Sequence, residues 1–112
     1  MTRRSKVPEA GGRLLSGLGL AARAGHLRIG TEAVIRSIRG GEAVAVVIAG
    51  DTPVVVRSKL ERLLNSRSLP YNVVLDGDAL GGAVGRERVV SLAITDMSLG
   101  RQVLKLAEEV EG

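Results

Sequence analysis

The amino-acid sequence predicts an α/β protein, an α/β/α sandwich in which helices cover both faces of one sheet of about four strands. Three observations carry this expectation. Helical and extended patterns alternate along the chain, and each crossover helix must bury its apolar stripe against the sheet. The run "AVAVVIAG", Ala43–Gly50, is uninterrupted and rich in Val and Ile, the signature of a strand covered on both faces. Finally, 112 residues with 45% hydrophobic and 25% charged side chains suffice for one hydrophobic core and are too few for two.

Residues 1–12 are polar, basic and Pro/Gly-containing and read as a mobile arm, so a single domain is expected over 13–112. Leu14, Leu15, Leu18, Ala21 and Ala22 recur at helical spacing, and Gly25 stands where a left-handed residue ends such a helix. "HLRIG", 26–30, is a short extended segment. "TEAVIRSIR", 31–39, places Val34, Ile35 and Ile38 on one helical face before "GG" terminates it. The apolar run at 43–50 is then the central strand. "DTPVVVRSKLERLLNSR", 51–67, opens with Asp51 or Thr52 as N-cap and Pro53 at the first helical position, where a missing N–H is no loss. Val56, Leu60, Leu63 and Leu64 form its inner stripe. "LPYNVVL", 69–75, is a strand, and "DGDALGGAVG", 76–85, is a short helix closed by Gly85. "RVVSLAIT", 88–95, is the last strand, and Asp96 or Ser98 caps a final helix carrying Leu99, Val103, Leu106, Ala107 and Val110.

Composition narrows the function classes. With no cysteine there is no disulfide, thiolate zinc site or thiol nucleophile, and a reducing, cytoplasmic compartment is the default expectation. No apolar run approaches the ~20 residues that span a bilayer, so no membrane partner is expected. His26 is the single histidine and cannot build the usual metal site alone. The serines have no histidine–carboxylate constellation in sequence, and no dinucleotide or Walker fingerprint follows a strand, so no catalytic residue, metal or cofactor is assigned. Lys and Arg number 16 against 12 Asp and Glu, a net charge of +4 that permits a polyanionic partner. Tyr71 is the only aromatic residue, which argues against readers that stack several splayed bases on rings. A nucleic-acid partner would have to be held by backbone amides, arginines and shape.

Three stretches are candidate sites. At "GTEAVIR", Gly30–Arg36, a helix N-terminus offers unpaired N–H groups and a partial positive charge, with Gly30 leaving the approach open and Arg36 and Arg39 following at one-turn intervals. The alternative is structural, with Thr31 as N-cap, Glu32 complementing the helix dipole and the arginines forming a solvated face. In "LGGAVGRER", Leu80–Arg88, three glycines in six positions allow close approach by a ligand or another backbone, and Arg86 and Arg88 then protrude. The same glycines also serve tight packing of the short helix on the sheet. In "AGDTP", Asp51 lies at the carboxyl end of the central strand, where ligands gather in open α/β sheets, or it is an N-cap.

Taken in order, "GTEAVIRSIRGG", "AVAVVIAGDTP", "LPYNVVL" and "LGGAVGRERVVSLAITD" resemble the superfamily of the archaeal and eukaryotic ribosomal proteins seven-Ae and thirty-e, and within it the small bacterial YlxQ-like branch. The similarity runs from about Arg13 to the C-terminus, and L-G-x-A-x-G with the spacing between segments is its most specific part. The resemblance implies a compact α/β/α sandwich with a mixed sheet, no enzymatic activity, and binding to structured RNA, typically a kink-turn. It also implies a ribosome- or translation-associated role beside other ribonucleoprotein components, without a cofactor or small-molecule substrate.

Carried over residue by residue, the helix start that enters the groove beside sheared G·A pairs is Gly30, Thr31, Glu32, Ala33 and Arg36, with Arg39 beyond it. The loop that meets a protruding nucleotide is Gly85, Arg86, Glu87 and Arg88, with Asp51 near the junction. Family kink-turn binders commonly carry Asn-Glu after the G-T pair, where this chain has Glu32-Ala33. Several also have an apolar residue where Arg86 stands. Both departures shift the expected balance toward electrostatic, less base-specific contact. A protein-interaction module on the same fold is the alternative class, and the basic balance speaks against it because members of that kind tend to be acidic.

Overall fold

A computed structural model describes residues 7–111, with side chains from Ala10 onward. The described chain runs α1 (Val7–Arg23), β1 (Leu27–Ile29), α2 (Thr31–Arg39), β2 (Ala45–Ile48), α3 (Val54–Ser66), β3 (Tyr71–Val73), α4 (Gly77–Ala83), β4 (Ser91–Ile94) and α5 (Met97–Glu111). The four strands form one mixed sheet in the order β1-β4-β2-β3. β4 is antiparallel to both of its neighbours, whereas β2 and β3 are parallel, as a helical crossover requires. The α/β/α sandwich and the alternation of elements are as the sequence predicts.

The two inner strands are buried at every position, and their side chains alternate between two cores. Ala45 and Val47 of β2 and Leu92 and Ile94 of β4 join Leu14 and Leu18 of α1, Leu80 of α4 and Val103 and Ala107 of α5. Val46, Ile48 and Ala93 point the other way, against Val34 and Ile38 of α2 and Leu60 and Leu64 of α3. The sheet is thus the middle layer, with three helices on one face and two on the other.

Helix ends follow local chemistry in most places. Gly25 and Gly85 adopt left-handed backbones, with φ of 79° and 78°, just past α1 and α4. Asp76 caps α4 by accepting from Ala79 N at 2.9 Å, and Asp96 caps α5 by accepting from Leu99 N at 2.9 Å.

Three local expectations are corrected. Helix α1 begins at Val7, so residues 7–12 belong to it rather than to an arm; residues 1–6 of that expected arm lie outside the described residues. Pro8 falls in the first turn, where its lost N–H is harmless, and Gly11 is buried in the helix beside Leu75, so tertiary packing overrides the Gly-Gly signal. The N-cap of α3 is Pro53 itself, with no side chain in the capping role. Thr52 instead donates its hydroxyl to Ala49 O at 2.6 Å, and Asp51 turns toward α4. Lastly, Gly81 packs α4 against the following turn and not against the sheet.

Two neighbouring glycines of α4 differ sharply in this respect. A Cβ on Gly81 would lie 2.7 Å from Glu87 O and 2.8 Å from Arg88 N, backbone atoms that cannot rotate away, whereas nothing lies within 4 Å of one on Gly82. Gly81→Ala is expected to lower stability by about 1–3 kcal/mol. Gly82→Ala, in the same helix, is expected to be neutral or to stabilise by up to about 1 kcal/mol. Urea unfolding of both variants checks the pair, and equal midpoints would contradict this packing account.

Candidate nucleic-acid interface

The carboxyl ends of β1, β2 and β3 and the amino end of β4 meet at one end of the sheet, and backbone hydrogen bonds tie the emerging segments together. Gly30 N donates to Ser91 O at 3.0 Å, Ala49 N to Val90 O at 2.8 Å and Gly50 N to Leu75 O at 2.8 Å. The Thr52 hydroxyl reaches Val90 O at 3.3 Å as well as Ala49 O. Loops that would otherwise move independently are therefore one platform, which suits a surface that recognises shape.

At that platform α2 begins without a side-chain cap. Gly30 is the N-cap, with φ 96° and ψ 154°, a backbone that any Cβ would strain. Thr31 is the first helical residue and not the cap; its hydroxyl lies 3.4 Å from that of the buried Ser91. The helical ladder opens with Val34 N donating to Gly30 O, which leaves the amides of Thr31, Glu32 and Ala33 at the uncapped end. Glu32 is exposed in the first turn and Arg36 one turn later, and neither forms an ion pair among the described residues.

The second arm of the platform is built around Asp51. Its carboxylate accepts from Gly77 N at 2.9 Å and from Arg88 Nη1 at 3.1 Å, and Arg88 Nη1 also lies 3.7 Å from Asp78 Oδ1. The Gly77 N–H foremost, then the Arg88 guanidinium, hold the Asp51 carboxyl below its ordinary value. Gly77 lets the Arg88 side chain lie close over the start of α4, since a Cβ would stand 3.0 Å from Arg88 Cζ and push the guanidinium aside. Arg88 is consequently tied back across α4 instead of protruding, and Asp51 is a strut between β2 and α4. Gly85, left-handed, turns the chain so that Arg86 and Glu87 stand exposed just before the segment that feeds β4.

Residues 13–103 match the model of the ribosomal protein L7Ae/L30e/S12e/Gadd45 family. The chain belongs to this family. It is 31% identical over 91 residues to the RNA-binding protein YlxQ of Bacillus subtilis, covering 81% of this chain and 91% of that one. It is 36% identical over 86 residues to the large ribosomal subunit protein eL8 of Thermoplasma volcanium, covering 76% of this chain and 71% of that one. Among solved structures, a Bacillus halodurans protein of unknown function superposes with a TM-score of 0.82 at 32% identity, covering 85% of this chain and 96% of that one.

In this family member the start of α2, with Gly30, Thr31, Glu32 and Ala33, meets the sheet end at Ser91, and Asp51 joins Arg88 and the start of α4 there. Gly85, Arg86 and Glu87 form the turn between α4 and the segment that feeds β4, and Arg36 stands one turn along α2. Arg39 is not part of these groups. It stands in the last turn of α2, where Arg67 Nη1 donates to Ile38 O at 3.0 Å and Arg39 O at 3.4 Å. Two features were missed in the sequence. Val54 and Val55, 78% and 80% exposed, form an apolar step in the first turn of α3 beside the Asp51 loop. Their signal was the run "VVV", in which only Val56 fits the inner stripe. Lys59 and Arg62 of α3 face the end of α2 across a groove, and only the packing of the two helices brings them there.

The Asp51 strut has a pH signature. Its folded-state carboxyl value is lowered, so its contribution to stability is present above the unfolded value near 3.8 and is lost as pH falls through the lower folded value. Wild type is expected to lose more melting temperature than Asp51→Asn as pH falls through and below that value. Thermal melts along an acid series check this, and parallel curves for the two proteins would show that Asp51 carries no such linkage.

Proposed function

We propose that this family member is a noncatalytic, cytoplasmic RNA-binding protein that recognises a kink-turn or similarly bulged RNA, in association with ribosomes or translation. The observation that carries this reading is the uncapped start of α2, opened by Gly30, with the exposed Arg36 one turn along the same helix. Arg86 adds an exposed cation in the turn before β4. An open helix N-terminus supplies N–H donors and positive potential, and exposed arginines supply phosphate contacts. Glu32 supplies an acceptor for an exposed base amino or imino group. Val54 and Val55 give an unstacked nucleotide apolar surface without a ring to stack on. The relatives named for RNA binding and for the large ribosomal subunit point the same way.

The chemistry of the platform fits binding and not turnover. Asp51, the carboxylate with a shifted pKa there, is lowered and occupied by Gly77 and Arg88, the opposite of a base poised near neutrality.

Replacing Arg36 and Arg86 together with alanine is expected to weaken binding to a kink-turn RNA while leaving the fold intact, since both side chains are exposed. The slope of log K against log salt should become shallower by about 1.5, at roughly 0.7 to 0.9 for each phosphate no longer neutralised. Fluorescence anisotropy over a salt series, with circular dichroism as the folding control, reads both quantities. Unchanged affinity and slope would remove the platform from the RNA interface.

A further inference from the structure

We propose that the groove between the last turn of α2 and the second half of α3 holds the sugar-phosphate backbone of a stem that leaves the sheet-end platform, so that RNA is gripped along the length of α2. This rests on the RNA reading above and adds a second contact region to it. The groove has a volume of about 320 Å³ and is lined by Arg39, Lys59, Arg62, Leu63 and Ser66. All three cations are exposed, and none forms an ion pair among the described residues.

The arrangement is set by helix geometry. Lys59, Arg62 and Ser66 recur at three- and four-residue steps on one side of α3. Glu61, the only acid in α3, lies on another side, where it pairs with Arg57 at 3.4 Å and accepts from the Tyr71 hydroxyl at 3.1 Å. No α3 carboxylate therefore competes for the groove cations. On α2 the only acid is Glu32, at the opposite end of the helix, while Arg36 leads to Arg39 one turn later. The nine residues of α2 span about 13 Å, so cations continue from the platform into the groove without a gap longer than about one turn.

The groove is also held in shape. Val34 and Ile38 pack on Leu60 and Leu64 beneath it, and Arg67 clamps the chain after α3 onto the carbonyls of Ile38 and Arg39. The lining offers three cations, one hydroxyl and one Leu, with no amide side chain and no ring. Such a surface suits phosphates and reads no sequence. A long stem satisfies it; a bulge alone does not reach it.

The test compares two RNAs, one bulged RNA with long flanking stems and the same bulge with both stems cut short. The variants are Arg39→Ala/Lys59→Ala/Arg62→Ala, the platform pair Arg36→Ala/Arg86→Ala, and a charge-matched control on the opposite layer, Arg23→Ala/Arg101→Ala/Lys105→Ala. The groove triple is expected to bind the short RNA as wild type does and to lose affinity for the long one, with a salt slope shallower by about 2. The control should keep the wild-type slope on both. Equal losses by groove triple and control would make this a net-charge effect and overturn the proposal. Wild-type binding of both RNAs by the groove triple, with the platform pair weakened, would overturn the groove alone. If the groove triple kept both RNAs but lost binding of an oligoglutamate peptide, the groove would belong to an acidic protein segment. Failure of wild type to bind either RNA would remove the RNA reading and this proposal with it.

Discussion

The burial of β2 and β4 on both faces is the constraint on which the rest of the molecule depends. Eight inner-strand positions admit no water, so side chains alternating at a period of two must find partners in two separate layers. Small residues face the crowded side of each strand in part: Ala45 and Ala49 lie where α1, α4 and α5 converge, and Ala93 lies under α2 and α3. Gly100 of α5 has the same origin, since a Cβ there would meet Val44 Cγ2 at 2.9 Å. Ser91 is the one polar residue in the two inner strands, and it stands where Gly30 and Thr31 meet the sheet. The core and the platform thus share a boundary at one hydroxyl.

That constraint also explains how much of the fold was legible in the sequence. Buried strands and helices with one apolar stripe write their pattern locally, so β2, α2 and α5 could be read within a residue or two. The left-handed turns at Gly25 and Gly85 were legible for the same reason, because the conformational demand falls on a single residue. Strand order was not, since the placement of β4 between β1 and β2 is decided by contacts more than 40 residues apart. The start of α1 was hidden likewise: "PEAGG" has a loop's composition, and the burial of Gly11 beside Leu75 is a tertiary fact. The first turn of α3 misled because an Asp before Thr-Pro has the pattern of a cap, while the actual partners of Asp51 are the Gly77 N–H and Arg88, 26 and 37 residues on.

The candidate site divides along the same line. Gly30, Glu32, Arg36 and Arg86 were readable because exposure at a helix start or a glycine turn is a local property. Arg88 was misread as protruding because its two acidic neighbours come from the β2–α3 loop and from α4. Arg39 was grouped with the helix start because they share a helix, although the neighbours that give it a role lie on α3. Residues on one element tell which face they occupy; which other element shares that face is a tertiary fact.

Glu32 shows how charge is distributed at the platform. A helix N-terminus attracts anions, and a carboxylate in its first turn satisfies part of that attraction from within the chain. A phosphate approaching the three open amides of α2 would therefore meet a like charge beside them. A base edge that presents an amino or imino hydrogen meets an acceptor there instead. Phosphates find cations along the outer side of α2 at Arg36, one turn from Glu32, and at Arg39, a further turn away. Under the RNA reading, Glu32 followed by Ala33 separates the two kinds of contact in space: base-edge donors are favoured at the mouth of the helix, and backbone charge is drawn along its flank. Affinity in such an arrangement comes chiefly from the flank and discrimination from the mouth, so the two properties are carried by different residues of the same short helix.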